Sequence, residues 1–216
     1  LMEKESENYL HRIIKQANDM QENLESDEQK IKEVFNNLVA VMKEVKENSV
    51  FSPNEAFEEI LTENLKYLLI PFYQGELIFL LSNNRDKNLK LVLQFYEEFF
   101  KILKNYKFLD KDNLDLYNNL YLECLSAEAT GKDNSDNYEK IQELKKTTPK
   151  RPDLEAMAKD RETKIKEYKF KKNLMERIKL AEKRNEDSTR DYWVDYINLS
   201  WRKVLENLRS VKDEFE

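Results

Sequence analysis

Residues 149–184 read PKRPDLEAMAKDRETKIKEYKFKKNLMERIKLAEKR, and this stretch indicates the fold class. Pro152 suits the first position of a helix, because the N–H that proline lacks would have no partner within the helix there. Asp153 and Glu155 place negative charge at the positive end of the helix dipole. No further proline and no glycine follows as far as Arg184, so we predict one long helix.

A helical projection at about 100° per residue places many apolar residues of this stretch in one sector. Arg161 falls inside that sector and Lys164 lies on its edge. Burial of a cation among apolar side chains is costly unless an anion meets it. Arg161 therefore either extends to the surface or pairs with a carboxylate of its own chain, or Arg161 and Lys164 meet an acidic partner protein. The apolar sector consists of Leu154, Met157, Ala158, Ile165, Tyr168 and Met175.

The charge of this stretch differs from the charge of the whole chain. Basic residues outnumber acidic ones between Lys150 and Arg184, although the chain carries a net charge of −6. A basic surface on an acidic protein favours association with an acidic partner. The negative net charge would repel a phosphate backbone, so we expect no nucleic-acid partner.

The composition favours an all-α fold. Hydrophobic residues make up 40% of the 216 residues and charged residues 37%, with only 2 Gly and 4 Pro. Long amphipathic helices have this profile, and alternating β-branched runs typical of strands are scarce. We predict a single helical domain over residues 1–216, in which the polar stretch 128–150 is a flexible loop or insertion.

Helix-capping residues divide the first half of the chain. Ser26, followed three residues later by Gln29, predicts the start of a second helix after a first one that ends near Leu24. The sequence Ser-Pro-Asn-Glu at 52–55 predicts the start of a third helix that continues to Leu81.

Two residues inside the third helix have predicted structural consequences. Pro71 removes the hydrogen bond to the carbonyl of Tyr67, so we expect a kink there. Gly75, one turn later, would permit close approach of a neighbouring backbone. Both residues are expected to serve the fold and not a reaction.

Three more helical patterns follow residue 81. Residues 82–86 predict a turn into a fourth helix, and a fifth is predicted over Asp112 to Leu125. Ser188 with Asp191 predicts the cap of the last helix. The inward-facing side of that helix is expected to comprise Trp193, Ile197, Trp201, Val204, Leu208 and Val211.

No pattern typical of catalysis, metal binding or a cofactor site occurs in the chain. His11 is the only histidine and has no second ligand at metal-binding spacing. Two glycines cannot form a phosphate-binding loop. Cys124 is the only cysteine, which excludes an internal disulfide and favours a reducing cytoplasmic setting, with the thiol in the core. The most apolar stretch, 65–81, is too short and polar to span a bilayer, so we expect no membrane association. We expect no enzymatic activity, no metal and no cofactor.

Three blocks of sequence share motifs with one known family. The first, FSPNEAFEEILTENLKYLLIPFYQGEL at 51–77, contains L-K-Y-L-L-x-P followed by Q-G-x-L. The second, LEAMAKDRETKIKEYKFKKNLMERI at 154–178, contains A-M-A-x-x-R-x-x-K-I-x-x-Y-K, and the third is TRDYWVDYINLSWRKVLENLRSVKDE at 189–214. The three blocks resemble the type 2A phosphatase-associated proteins of rapamycin-sensitive (TOR) signalling, also called the alpha-four or immunoglobulin-binding protein 1 family. Residues 107–150 depart from the family pattern, and its C-terminal tail is expected to be absent.

The resemblance implies a tetratricopeptide-like array of about seven antiparallel helices. It also implies a non-catalytic, chaperone-like subunit that binds and stabilises the catalytic subunit of type 2A-like protein serine/threonine phosphatases. The family's phosphatase-binding Arg and Lys fall on Arg161 and Lys164, and the Tyr and Lys that end the same motif fall on Tyr168 and Lys169. We predict these four residues as the partner-binding site, and we expect the protein to be a monomer.

A helical peptide-binding or coiled-coil adaptor unrelated to phosphatases is the alternative function. Only the first function predicts that a phosphatase catalytic subunit is prominent among the proteins that co-purify with the chain.

Overall fold

The part of the chain that the structure describes is mainly helical. This computed structural model describes the backbone of residues 2–52, 55–130 and 154–216 and the side chains of 9–52, 55–129 and 165–216. Within these residues there are α-helices and 3-10 helices and no strands, which confirms the all-α prediction. The α-helices are α1 (Met2–Glu22), α2 (Glu28–Glu47), α3 (Ile70–Leu80), α4 (Arg85–Asn105), α5 (Lys111–Thr130), α6 (Leu154–Lys183) and α7 (Arg190–Phe215).

The helices form two compact units, Leu1–Phe108 and Leu109–Glu216. In the first unit α3 packs against α1, α2 and α4. Every residue from Ile70 to Ile78 is buried, as expected for a helix that is apolar on all sides. The contacts of α3 with α4 pair Phe72 with Phe99 and Phe79 with Arg85, so these two helices are antiparallel. One domain over residues 1–216 stays a prediction.

The prediction of one helix from residue 52 to Leu81 is wrong for the residues before Ile70. Pro53 and Asn54 lie outside the described residues, and the Ser52 N–H does donate to Glu55 Oε2 at 3.4 Å, as in a capping box. No α-helix follows, however. Two 3-10 helices, Phe57–Glu59 and Thr62–Leu69, come first, and α3 begins only at Ile70.

The expected kink at Pro71 does not apply, because no α-helix immediately precedes Ile70. The Ile70 N–H donates to the Tyr67 carbonyl, the group that Pro71 was expected to leave without a partner. Pro71 then lies in the first turn of α3, where a missing N–H costs nothing. Gly75 also differs from the expectation, because side chains of Phe95 and Tyr96, and not a backbone, come closest to it.

The caps of two helices lie one residue later than predicted. Asp27, not Ser26, caps α2, and its Oδ1 accepts from the N–H groups of Gln29 at 3.0 Å and Lys30 at 3.3 Å. Thr189, not Ser188, caps α7. Both residues have the extended backbone that a cap requires.

In the second unit α5 and α6 both pack against α7. The predicted inward-facing residues of α7 are all buried, which confirms that side of the helix. Cys124 of α5 is buried as predicted, and its thiol donates to the Leu208 carbonyl at 3.1 Å. Helix α5 is longer than predicted and includes residues 128–130, while most of the predicted loop at 128–150 lies outside the described residues.

Candidate protein-binding site

Helix α6 contains all four predicted partner-binding residues. Its backbone is helical from Leu154 to Lys183 without a break, as the sequence predicts, while Pro152 lies outside the described residues. The side chains of Arg161 and Lys164 also lie outside the described residues. Tyr168 and Lys169 are described, and they occupy consecutive positions in the middle of the helix.

One side of α6 is anchored to α7 by apolar contacts. Leu174 and Ile178, four residues apart, are buried there, whereas most of the described α6 side chains are exposed. Residues at this spacing lie on one side of a helix. Within residues 165–183, the buried side of α6 is therefore short and centred on these two residues.

Polar contacts with α7 supplement the two buried residues. Arg177 Nε lies 2.9 Å from Asp195 Oδ2, and the Tyr192 hydroxyl donates to Glu182 at 3.1 Å. The partner numbers fall along α7 as they rise along α6, so the two helices are antiparallel, as predicted. Burial raises the pKa of the Asp195 carboxyl, although the adjacent Arg177 opposes this effect. Because Asp195 is nearly buried and Arg177 is half exposed, the pair lies at the edge of the interface.

The sides of α6 that do not pack against α7 form an exposed surface that combines apolar and basic residues. Tyr168 is 70% exposed, Ile165 46% and Met175 40%. Lys169 is also exposed. We call these residues, Ile165, Tyr168, Lys169 and Met175, the outer surface of α6.

The described members of the predicted apolar sector therefore face solvent and not the core. The helix has apolar residues around much of its circumference, so periodicity could not decide which of them pack against a neighbour. Phe170 and Leu180 are also partly exposed, and they lie outside the predicted apolar sector. Each of them is an apolar residue on a lysine-rich helix, and this is the feature of the sequence that could have identified them.

The outer surface of α6 is suited to contact with a protein. Exposed apolar side chains lose contact with water when a partner covers them, and lysine attracts acidic groups over a longer range. Within the described ranges, no group of three or more His, Cys, Asp or Glu side chains is placed to hold a metal ion. None of the helices in those ranges has both the length and the apolar character of a membrane span.

Known proteins and a family model match the chain. Immunoglobulin-binding protein 1 family member C of Homo sapiens is 28% identical over 183 residues, which are 82% of this chain and 48% of that protein. The PP2A regulatory subunit TAP46 of Oryza sativa subsp. japonica is 35% identical over 68 residues, 31% of this chain and 16% of that protein. The chain thus spans about half the length of the human relative and less of the rice one. The model of the TAP42-like family matches residues 4–216, and the chain belongs to that family.

Proposed function

We propose that this chain is a non-catalytic regulatory subunit that binds the catalytic subunit of type 2A-like protein serine/threonine phosphatases in the cytoplasm. Membership of the TAP42-like family supports this function. The name of the rice relative, a PP2A regulatory subunit, supports the choice of partner. The TOR-dependent setting is carried over from the family resemblance.

The binding site that we propose is α6, with Arg161, Lys164, Tyr168 and Lys169 as contact residues. The observation that carries this proposal is the 70% exposure of Tyr168 on a helix whose anchoring residues, such as Leu174, lie elsewhere. The motif residues with described side chains are therefore not needed to fill the core.

Binding at this site would proceed through two kinds of contact. Lysine side chains attract an acidic patch of the catalytic subunit and orient it during the encounter. Tyr168, together with Ile165 and Met175, then buries apolar surface against the partner, and tyrosine is among the residues that most often dominate interface energies. Charge would thus mainly determine the association rate, and apolar burial the lifetime of the complex.

A binding protein of this kind stabilises its partner without catalysis. A protein that binds only one state of the phosphatase stabilises that state. The stabilisation free energy is about 2.7 kcal/mol when the free concentration of the binding protein is 100 times Kd. The catalytic subunit would consequently be protected from unfolding and degradation while it is bound.

The test measures binding of the full chain to a purified type 2A phosphatase catalytic subunit. We expect the wild type to bind and Tyr168→Ala/Lys169→Glu to bind at least about tenfold more weakly, since loss of 1.4 kcal/mol is enough for that change. Lys15→Glu is the matched control, because Lys15 is an exposed lysine of α1. Its binding should equal that of the wild type.

The outcomes separate the partner from the site. Failure of the wild type to bind would contradict the phosphatase function and favour the adaptor alternative. Equal binding by the wild type and the α6 variant would leave the function standing and show that the site lies elsewhere.

A further inference from the structure

One arginine of α7 contacts the turn of α6 that presents Tyr168 and Lys169. The flanking residues Glu167 and Phe170 are three positions apart and so project to one side of the helix. Both of them contact Arg202. Its Nε lies 3.0 Å from Glu167 Oε2, and its Cζ lies 4.5 Å from the centre of the Phe170 ring.

Arg202 is itself held firmly on α7. Its Nη1 donates to the Asn198 carbonyl at 3.0 Å and to Asn198 Oδ1 at 3.2 Å. Its Cζ lies 3.9 Å from the centre of the Trp201 ring, and the Trp201 Nε1–H donates to the same Asn198 Oδ1 at 3.2 Å. The Arg202 side chain is only 14% exposed. The guanidinium thus contacts two aromatic rings, one from each helix.

We infer that Arg202 is a positioning residue for partner binding, because it fixes the turn 167–170 whose outer side presents Tyr168 and Lys169. The inference rests on the proposed function, since it assigns Arg202 a part in the same site. Arg202 acts through Glu167 and Phe170 and does not itself touch the partner.

The geometry requires arginine in particular. A guanidinium is planar, so it can stack on aromatic rings while its in-plane N–H groups bond to a carboxylate and an amide. Lysine could keep the charge and the ion pair with Glu167, but it cannot stack on Phe170 and Trp201 in the same way. Arg202→Lys is therefore a conservative change that removes the stacking on Phe170 and Trp201 selectively.

The first measurement is the affinity of the full chain for the phosphatase catalytic subunit. We expect Arg202→Lys to lower it about fivefold, which corresponds to roughly 1 kcal/mol of binding free energy. Arg209→Lys is the control, because it is the same substitution at an exposed position of the same helix. It should leave the affinity unchanged.

A second comparison separates positioning from a general effect on stability. The same Arg202→Lys change is made in a Tyr168→Ala/Lys169→Ala background. In that background the two side chains that the turn presents are truncated. Arg202→Lys should therefore cause no further loss of the residual affinity. An equal loss of affinity in both backgrounds would overturn the inference, because a direct contact or a global defect would persist.

Hydrogen exchange tests the inference without a partner. In the free protein, Arg202→Lys should accelerate amide exchange in residues 165–171 more than in the rest of α6, whereas Arg209→Lys should not. If the wild type fails to bind the phosphatase, the proposed function falls, and unchanged exchange in 165–171 would overturn the inference by itself.

Discussion

The ring of Tyr96 occupies the space that a side chain at position 75 would need. A Cβ on Gly75 would lie 2.6 Å from Tyr96 Cε1 and 2.9 Å from Cδ1, well inside van der Waals contact. Tyr96 is fully buried and its hydroxyl donates to Glu76 Oε1 at 2.5 Å, so the ring cannot withdraw easily. Helices α3 and α4 are therefore in close contact because residue 75 has no side chain.

Gly75→Leu should destabilise the first unit by roughly 1–3 kcal/mol, because it overpacks this contact. Thermal or urea unfolding of the variant measures the effect. The cost should be smaller in a Tyr96→Leu background, where the smaller side chain leaves room. If Gly75→Leu keeps its melting temperature but loses partner binding, the glycine belongs to a binding surface and its structural assignment is wrong.

Arg161→Glu/Lys164→Glu should abolish phosphatase binding and leave the fold intact. Loss of a buried charge contact costs about 2–5 kcal/mol, equivalent to a roughly 30-fold to several-thousand-fold loss of affinity. Glutamate is nearly as good a helix former as arginine or lysine, so helicity should not change. Circular dichroism, the melting temperature and affinity are measured on one preparation. A variant that melts early but still binds would show that Arg161 pairs within its own chain.

Ionic strength should affect the association rate more than the dissociation rate. The Debye length falls from about 10 Å at 0.1 M salt to about 3 Å at 1 M, which screens the lysines of α6 from an approaching acidic surface. Stopped-flow or surface-based kinetics over this range give both rates. A flat association rate would indicate that apolar contacts dominate the encounter.

Cys124 should resist thiol reagents until the second unit opens. Burial raises the pKa of its thiol to about 12, so almost no thiolate exists near neutral pH. Labelling with a disulfide reagent at pH 8 should be slow in buffer and complete in denaturant, with one thiol per chain. Rapid labelling of the folded protein would contradict the buried position against Leu208.

Asp195→Asn should stabilise the protein progressively, relative to the wild type, as pH rises above about 4. Burial raises the pKa of Asp195 in the folded state, so the folded protein holds that proton more tightly than the unfolded chain. Wild-type stability from this group is complete below the unfolded pKa of about 3.9 and is lost as pH rises through the folded pKa. Urea unfolding of both proteins from pH 3 to 7 measures the difference. A wild type that gains stability over this range relative to Asp195→Asn would show that the Arg177 ion pair outweighs burial.

Several elements could be predicted because local chemistry and packing favour the same structure. The single apolar stripe of α7, which includes Trp193 and Leu208, matched its buried side because the polar residues leave no other side to bury. The caps were displaced by one residue, since Ser26 and Asp27 are adjacent and both can cap a helix. The motif on α6 resembled that of one family, and the match of the TAP42-like family model to residues 4–216 confirms this prediction.

The sequence by itself determined the helical fold, the existence of α6 as one uninterrupted helix and its family motif. Only the tertiary structure decided which side of α6 is covered, because apolar residues such as Leu174 and Met175 are adjacent yet project in different directions. Packing against α7 buries Leu174 and leaves Met175 and Tyr168 exposed. The start of α3 was likewise decided by packing. There the Ile70 N–H donates a hydrogen bond to the Tyr67 carbonyl at the end of a 3-10 helix. Local sequence specifies which residues can be helical, but the neighbouring helix selects the side that loses contact with water.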